Sequence, residues 1–227
     1  MVTAIVLASG KASRMGTGVD KCFFALGPKP VVAWSLLAFE KCSDIDHIIL
    51  TVRKDQMIDA KGLQTMFGIS KLQTIVVGGK RRQDSVLAAL KELEPDTRYV
   101  VIHDAARPCV TPELIKETLK FAKRFGSGVA ATPVVDTVKV VGKGMMTEST
   151  PDRSALWAVQ TPQAFEAEAL VKAYTDLAAD KDRTFTDDAS VLEAAGTPAR
   201  LVKWEEPNLK ITRPIDLTVA AALLKLN

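Results

Sequence analysis

Three cations sit on one short loop near the start of the chain, and their setting points to phosphate chemistry. The segment from Ala4 to Lys21 reads AIVLASGKASRMGTGVDK. Ala4-Ile5-Val6-Leu7-Ala8 is a short apolar run of the kind that forms a buried strand. It breaks at Ser9-Gly10 into a loop that carries Lys11, Arg14 and Lys21. A strand ending in small residues brings backbone N–H groups close to a ligand's phosphates, and nearby cations offset the charge those phosphates bring. The loop is not a Walker A loop, because no Gly-Lys-Ser/Thr follows a second glycine. It is not a dinucleotide fingerprint either, because Ala12 and Met15 stand where the second and third glycines of that pattern belong. Alone, it leaves two readings open: a nucleotide site, or a surface loop with solvated basic residues.

Other strand-like runs end in similar chemistry. Thr74-Ile75-Val76-Val77 leads into Gly78-Gly79-Lys80-Arg81-Arg82-Gln83-Asp84-Ser85, and Tyr99-Val100-Val101-Ile102 into His103-Asp104-Ala105-Ala106-Arg107-Pro108. Asp136-Thr137 with Lys139, Asp152-Arg153, Gln160-Thr161-Pro162-Gln163 and Asn208-Leu209-Lys210 follow. A cationic rim with few carboxylates suits phosphoryl or nucleotidyl transfer, where positioning and charge neutralisation supply most of the catalysis. A nucleophilic triad is not indicated, since there is no Gly-x-Ser-x-Gly elbow and the only histidines are His47 and His103. Asp104 is the best candidate for a Mg²⁺ contact, because that ion often takes one carboxylate plus substrate phosphates and water. The alternative is that Asp104 fixes its own loop or pairs with Arg107. His103 reads as a packed, loop-orienting residue, and Asp187-Asp188 as helix-N-terminal charge at least as much as chemistry.

These loops need a scaffold that gathers strand ends. Besides the runs above, Ile48–Val52 and Gly128–Ala131 read as strands, all of them continuous, β-branched and apolar, as in a parallel sheet covered on both faces. Val86, Leu87, Leu90 and Leu93 share one helical face, as do Leu114, Ile115, Leu119 and Ala122. The second of these helices opens with Thr111 as N-cap and Pro112 at its first position. A last helix is expected from about Pro214 to Leu226, with Thr212 a candidate cap. The rhythm implies an α/β, doubly wound, mostly parallel Rossmann-like sheet that binds ligands at the carboxyl ends of its strands. From about 133 to 150 the rhythm breaks. Val138 and Val140 alternate with Lys139, and Gly142-Lys143-Gly144 reads as a turn, so this stretch is expected to be a projecting hairpin arm on a single 1–227 domain. An isolated hairpin is marginal in water, which makes a second copy of the chain an attractive partner for it; the alternative is an ordinary β excursion on the same subunit.

Composition narrows the partners. In 227 residues, 47% are hydrophobic and 25% charged, enough for a sizeable core. A net charge of +3 and 6% aromatics do not indicate a nucleic-acid binder. Cys22, Cys42 and Cys109 have neither disulfide-framework nor zinc spacing. No apolar stretch approaches the roughly 20 residues that span a bilayer, and no signal peptide is evident, so a cytoplasmic protein is expected.

Taken in order, these blocks resemble the 2-C-methyl-D-erythritol 4-phosphate cytidylyltransferase family. The matching blocks are Leu7-Ala8-Ser9-Gly10 with Arg14-Met15-Gly16 and Lys21, and Gly78-Gly79 with Arg82-Gln83-Asp84-Ser85-Val86. His103 to Pro108, Asp136-Thr137-Val138-Lys139, Thr150-Pro151-Asp152-Arg153, Gln160 to Gln163, Phe185-Thr186-Asp187-Asp188 and Asn208 to Thr212 continue the series over nearly the whole chain. The resemblance implies transfer of the cytidylyl group of CTP to methylerythritol phosphate, with Mg²⁺ or another divalent cation, in a homodimer of the non-mevalonate isoprenoid pathway. It implies that Ala8, Ser9 and Gly10 wrap the triphosphate, that Gly79 and Ser85 read the cytosine, and that Arg14, Lys21 and Lys210 act on the reacting phosphates. Asp104 is placed near the metal and the sugar phosphate, and Arg107 on the methylerythritol phosphate. Thr137 and Arg153 would reach that substrate from the other subunit.

The chain departs from the family in its first loop. The usual Gly-x-Gly-x-Arg is here Gly10-Lys11-Ala12-Ser13-Arg14, and the usual Pro-Lys-Gln is Asp20-Lys21-Cys22. Two other readings stand beside this one: a cytidylyltransferase for another polyol phosphate such as ribitol 5-phosphate, and a non-catalytic nucleotide-binding regulatory protein.

Overall fold

In the computed structural model, residues 1–10, 21–177 and 182–226 are described. A seven-stranded sheet forms the centre, in the order β11-β7-β10-β6-β1-β4-β5. Its strands are β1 (Val2–Ala8), β4 (His47–Val52), β5 (Leu72–Val77), β6 (Tyr99–Asp104), β7 (Ser127–Pro133), β10 (Trp157–Glu166) and β11 (Leu201–Lys203). Two small ribbons lie outside it, β2 (Ala25–Leu26) with β3 (Lys29–Pro30) and β8 (Val140–Val141) with β9 (Thr147–Ser149). The helices are α1 (Val31–Lys41), α2 (Met57–Phe67), α3 (Arg82–Leu90), α4 (Pro112–Phe125), α5 (Ala167–Leu177), α6 (Asp188–Ala194) and α7 (Ile215–Leu223).

The sheet is parallel wherever β1, β4, β5 and β6 meet, and β10 runs antiparallel to both β6 and β7. Every residue of β1 is buried, as a strand covered on both faces requires. One apolar cluster packs Phe39, Leu36, Leu114 and Ile115 on one face, and another packs Val86, Leu90, Leu170 and Leu192 on the other. The strands expected from the apolar runs are present. Strand β6 extends two residues further than read, so His103 and Asp104 belong to the strand.

Strand β10 is the main addition. Gln160-Thr161-Pro162-Gln163 lies inside it, at a register shift between Val159 and Gln163. Proline and glutamines disguise it in the sequence, because proline lacks the ladder N–H and a bulge tolerates that loss. Helix α4 begins as expected, with Thr111 Oγ1 accepting from Leu114 N–H at 3.3 Å. Helix α7 is shorter than expected, and Thr212 does not cap it. Asp216 reaches back instead, its Oδ2 accepting from the backbone N–H groups of Thr212 and Arg213 and from the Thr212 hydroxyl, each within 2.9 Å. The β8–β9 ribbon projects as an arm on which Val135, Val140, Val141, Met145 and Met146 are all exposed.

Candidate functional site

A cleft opens at the carboxyl ends of β1, β5 and β6. Its lining includes Ser9, Gly10, Lys21, Gly79, Arg82, Ser85, Asp104 and Lys210. Segments as far apart in the chain as Ser9 and Lys210 are therefore brought to one place, as open α/β sheets do at their strand ends. Arg14 lies outside the described residues, as do Ala12 and Asp20. Thr137 is exposed on the arm, and Arg153 donates to the Val135 carbonyl there at 2.5 Å. Neither belongs to the lining of this chain's own cleft.

One wall is built on close approach. The Ser85 hydroxyl accepts from Ser9 Oγ at 2.8 Å and from the Gly79 N–H at 3.1 Å, and donates to the Arg81 carbonyl at 3.3 Å. A Cβ on Gly78 would lie 2.3 Å from Ser9 Oγ, and one on Gly79 only 2.2 Å from Asp84 Cβ. A side chain at Gly78 would displace Ser9, and one at Gly79 would displace the first turn of α3. Asp84 holds that turn by accepting from the Arg81 backbone N–H at 3.0 Å and by pairing with the Arg81 guanidinium at 2.8 Å.

The charge gathers around the end of β6. Lys210 Nζ meets Asp104 Oδ2 at 2.6 Å, and Arg82 Nε meets Asp104 Oδ1 at 3.4 Å. Asp104 thus pairs with Lys210 and Arg82, and its link to Arg107 is the turn bond from the Arg107 N–H to the Asp104 carbonyl at 2.9 Å. Burial alone would raise the Asp104 pKa. The Arg82 and Lys210 charges outweigh it and hold the carboxyl well below the usual carboxylate range. Lys21 Nζ donates to the Ile211 carbonyl at 2.7 Å, next in sequence to Lys210.

His103 is fully buried, and burial pushes its pKa down to about 3. The neutral ring has one N–H. The Arg107 carbonyl, 3.2 Å from Nε2, can only accept, so that N–H sits on Nε2 and Nδ1 accepts from Thr161 Oγ1 at 3.2 Å. Thr161 Oγ1 in turn accepts from the Asp104 N–H at 3.0 Å. The imidazole is a structural brace for the Asp104–Arg107 turn. Arg107 itself is turned inward, donating to the Asn208 carbonyl at 2.7 Å. Its Nε is buried without a hydrogen-bond partner among the described residues.

Sequence reasoning assigned no role to Arg82, Tyr174 or Thr161. Asp187 is the N-cap of α6, accepting from Ser190 N–H at 3.1 Å, as its place before a helix implied. Asp188 is instead wholly buried and pairs with Arg82 at 2.7 Å. No local pattern reports a partner 106 positions away.

A doubly wound sheet whose strand ends gather glycines, lysines and one carboxylate without a nucleophilic triad defines a nucleotidyltransferase-type site. Comparison with known proteins sharpens this. Residues 2–226 match the family model described as "2-C-methyl-D-erythritol 4-phosphate cytidylyltransferase". Proteins of that name from Alkaliphilus oremlandii and Dehalococcoides mccartyi are 40% and 42% identical to the chain. The alignments cover 98% and 99% of this chain and 94% and 96% of those proteins. The solved structure of 4-diphosphocytidyl-2C-methyl-D-erythritol synthase from Anaerococcus prevotii superposes with a TM-score of 0.85 at 29% identity, covering 99% of this chain and 96% of that one. The Thermus thermophilus 2-C-methyl-D-erythritol 4-phosphate cytidylyltransferase superposes at 0.80, also at 29% identity, covering 98% of each. The chain belongs to the 2-C-methyl-D-erythritol 4-phosphate cytidylyltransferase family.

Proposed function

We propose that the cleft joins CTP to 2-C-methyl-D-erythritol 4-phosphate, forming 4-diphosphocytidyl-2-C-methyl-D-erythritol and pyrophosphate, in non-mevalonate isoprenoid synthesis. The observation that carries this reading is the convergence of Lys21, Lys210 and Asp104 on one cleft with Gly79 and Ser85. A triphosphate needs cations, and a base needs a close wall of backbone and hydroxyl groups. In this reading Ala8, Ser9 and Gly10 take the triphosphate and Gly79 with Ser85 reads the cytosine.

The chemistry needs no general base. A phosphate monoester has its second pKa near about 6 and is largely a dianion at neutral pH. One of its oxygens forms the new bond to the α-phosphorus of CTP while the bond to pyrophosphate breaks in line, and no proton has to move. Neutral, buried His103 fits a reaction of this kind. The barrier is repulsion between two polyanions. Lys21 and Lys210 lower it by exchanging the Ile211 carbonyl and Asp104 for phosphate oxygens, and Arg14 is assigned the same task.

Among the described residues no group of three or more His, Cys, Asp or Glu side chains could hold a metal. A single ionised carboxylate fits Mg²⁺ held chiefly by nucleotide phosphates and water, with Asp104 as its protein contact. Mg²⁺ bound there would supply further charge neutralisation at the phosphates. Arg107, partly exposed just past the Asp104 strand end, is assigned to the methylerythritol phosphate.

Thr137 and Arg153 are assigned to the partner's cleft in a homodimer formed through the arm. The apolar, exposed β8–β9 surface supports that assembly. Among the described residues no helix is long and apolar enough to cross a membrane, and a cytoplasmic location is proposed. Pyrophosphate release from CTP and Mg²⁺, measured with and without methylerythritol phosphate and beside ribitol 5-phosphate, tests the function. Release that ignores the sugar phosphate, or that prefers ribitol 5-phosphate, overturns it.

A further inference from the structure

Two cations share Asp104, and they are held very differently. Lys210 has a flexible stem and one charge-assisted bond to Asp104 Oδ2 at 2.6 Å. Arg82 is locked from behind. Its two terminal nitrogens donate to Asp188 Oδ1 and Oδ2 at 2.9 and 2.7 Å, a fork-on-carboxylate arrangement. The Asp188 side chain is wholly buried, and Tyr174 OH donates to its Oδ1 at 2.5 Å. Gln163 of β10 fixes the start of α6, with Oε1 accepting from the Asp188 and Ala189 N–H groups at 3.1 Å. Nε of Arg82 faces Asp104 Oδ1 at 3.4 Å.

This arrangement argues against Arg82 as a phosphate clamp. Asp188 neutralises its charge at close range, and both terminal nitrogens already donate to that carboxylate. Lys210, if it is to reach the reacting phosphates, must leave Asp104. When it does, Asp104 needs a second anchor that stays.

We propose that Arg82, pinned by Asp188 and Tyr174 behind the cleft, is a positioning residue that keeps Asp104 aimed into the site while Lys210 moves to the phosphates. The inference rests on the nucleotidyl-transfer reading above and assigns that reaction a support reaching from the cleft to helices α5 and α6. Arg82 acts through Asp104 and touches no substrate.

The test is a double-mutant cycle on turnover, with thermal melting of every variant. Arg82→Gln is expected to lower kcat about 100-fold with the KM for CTP within about threefold, and to cost less than about threefold when Asp104 is already Asn. Arg82→Lys keeps the charge but cannot span both carboxylates, so it should recover little of the loss. Tyr174→Phe removes one hydroxyl outside the cleft and keeps the ring. It should lower kcat about threefold in the Asp104 protein and have no effect in the Asp104→Asn protein. It decides the matter if Arg82→Gln does not fold. Equal losses in both backgrounds, full activity in Arg82→Lys, or a rise in KM at unchanged kcat each overturn the proposal. Failure of the underlying reading shows separately and removes the inference with it: wild-type protein then releases no pyrophosphate from CTP and methylerythritol phosphate.

Discussion

Replacing Asp104 by Asn should destabilise the protein at neutral pH and do so less in acid. The carboxylate lies between Lys210 and Arg82, and the substitution leaves two cations facing each other across a neutral amide. Breaking a fully buried ion pair costs about 3–5 kcal/mol and an exposed one about 0.2–1 kcal/mol. The Asp104 side chain is 13% exposed and that of Lys210 is 39%, which places the cluster between these limits. About 2 kcal/mol is therefore expected at pH 7, or a fall in Tm of about 4–8 °C for a chain of this size. The sign of the pH dependence follows from the direction of the shift. Asp104 is held below its unfolded value, so its contribution is complete above that value and is lost as pH falls toward the folded one. With an unfolded pKa of about 3.9 and a folded carboxyl that keeps its charge, about 1.3 kcal/mol of the wild-type advantage has gone by pH 3. Differential scanning calorimetry of both proteins between pH 7 and pH 3 measures the gap directly. A gap in Tm that stays constant over this range would refute the assignment of Asp104 as an ionised partner of both cations. At pH 7 the same variant should lose about 100-fold or more in turnover.

Three further outcomes are expected. Lys21→Ala should fold normally and lose about 100-fold or more in kcat, and wild-type turnover in the folded variant would remove Lys21 from the reaction. Gly79→Ala should cost about 1–3 kcal/mol in urea unfolding because its Cβ meets Asp84, and should raise the KM for CTP; an unchanged KM would show that this wall does not touch the nucleotide. Val138→Asp with Val140→Asp on the arm should shift the mass seen by light scattering from dimer to monomer and lower turnover, whereas an unaltered mass would exclude the arm as the interface.

The parallel strands β1, β4, β5 and β6 were legible because their runs are apolar and continuous, a pattern set locally, whereas the three-residue β11 was not. The α4 cap was legible for the same reason, since Thr111 and Leu114 are near neighbours. Strand β10 was not, because Pro162 and its flanking glutamines carry the usual signals of a turn, and only pairing with β6 and β7 makes them a strand. Thr212 looked like a cap from its type and position. Asp216, in the first turn of α7, instead holds the segment that leads into the helix, because one carboxylate can accept from several N–H groups at once.

The loop with Lys11, Arg14 and Lys21, the Gly78-Gly79 turn and the Asp104 strand end could be read as phosphate chemistry from residue type alone, and in order they identify the family. Amino-acid types determine what charge and which donors are available, and those are local properties. Which cation serves which carboxylate is decided by the fold. Lys210 reaches Asp104 from 106 positions away, and Asp188 takes Arg82 out of the phosphate-binding set across a similar span. Burial turns these meetings into fixed pairs, because a charge withdrawn from water must find its partner in the folded chain.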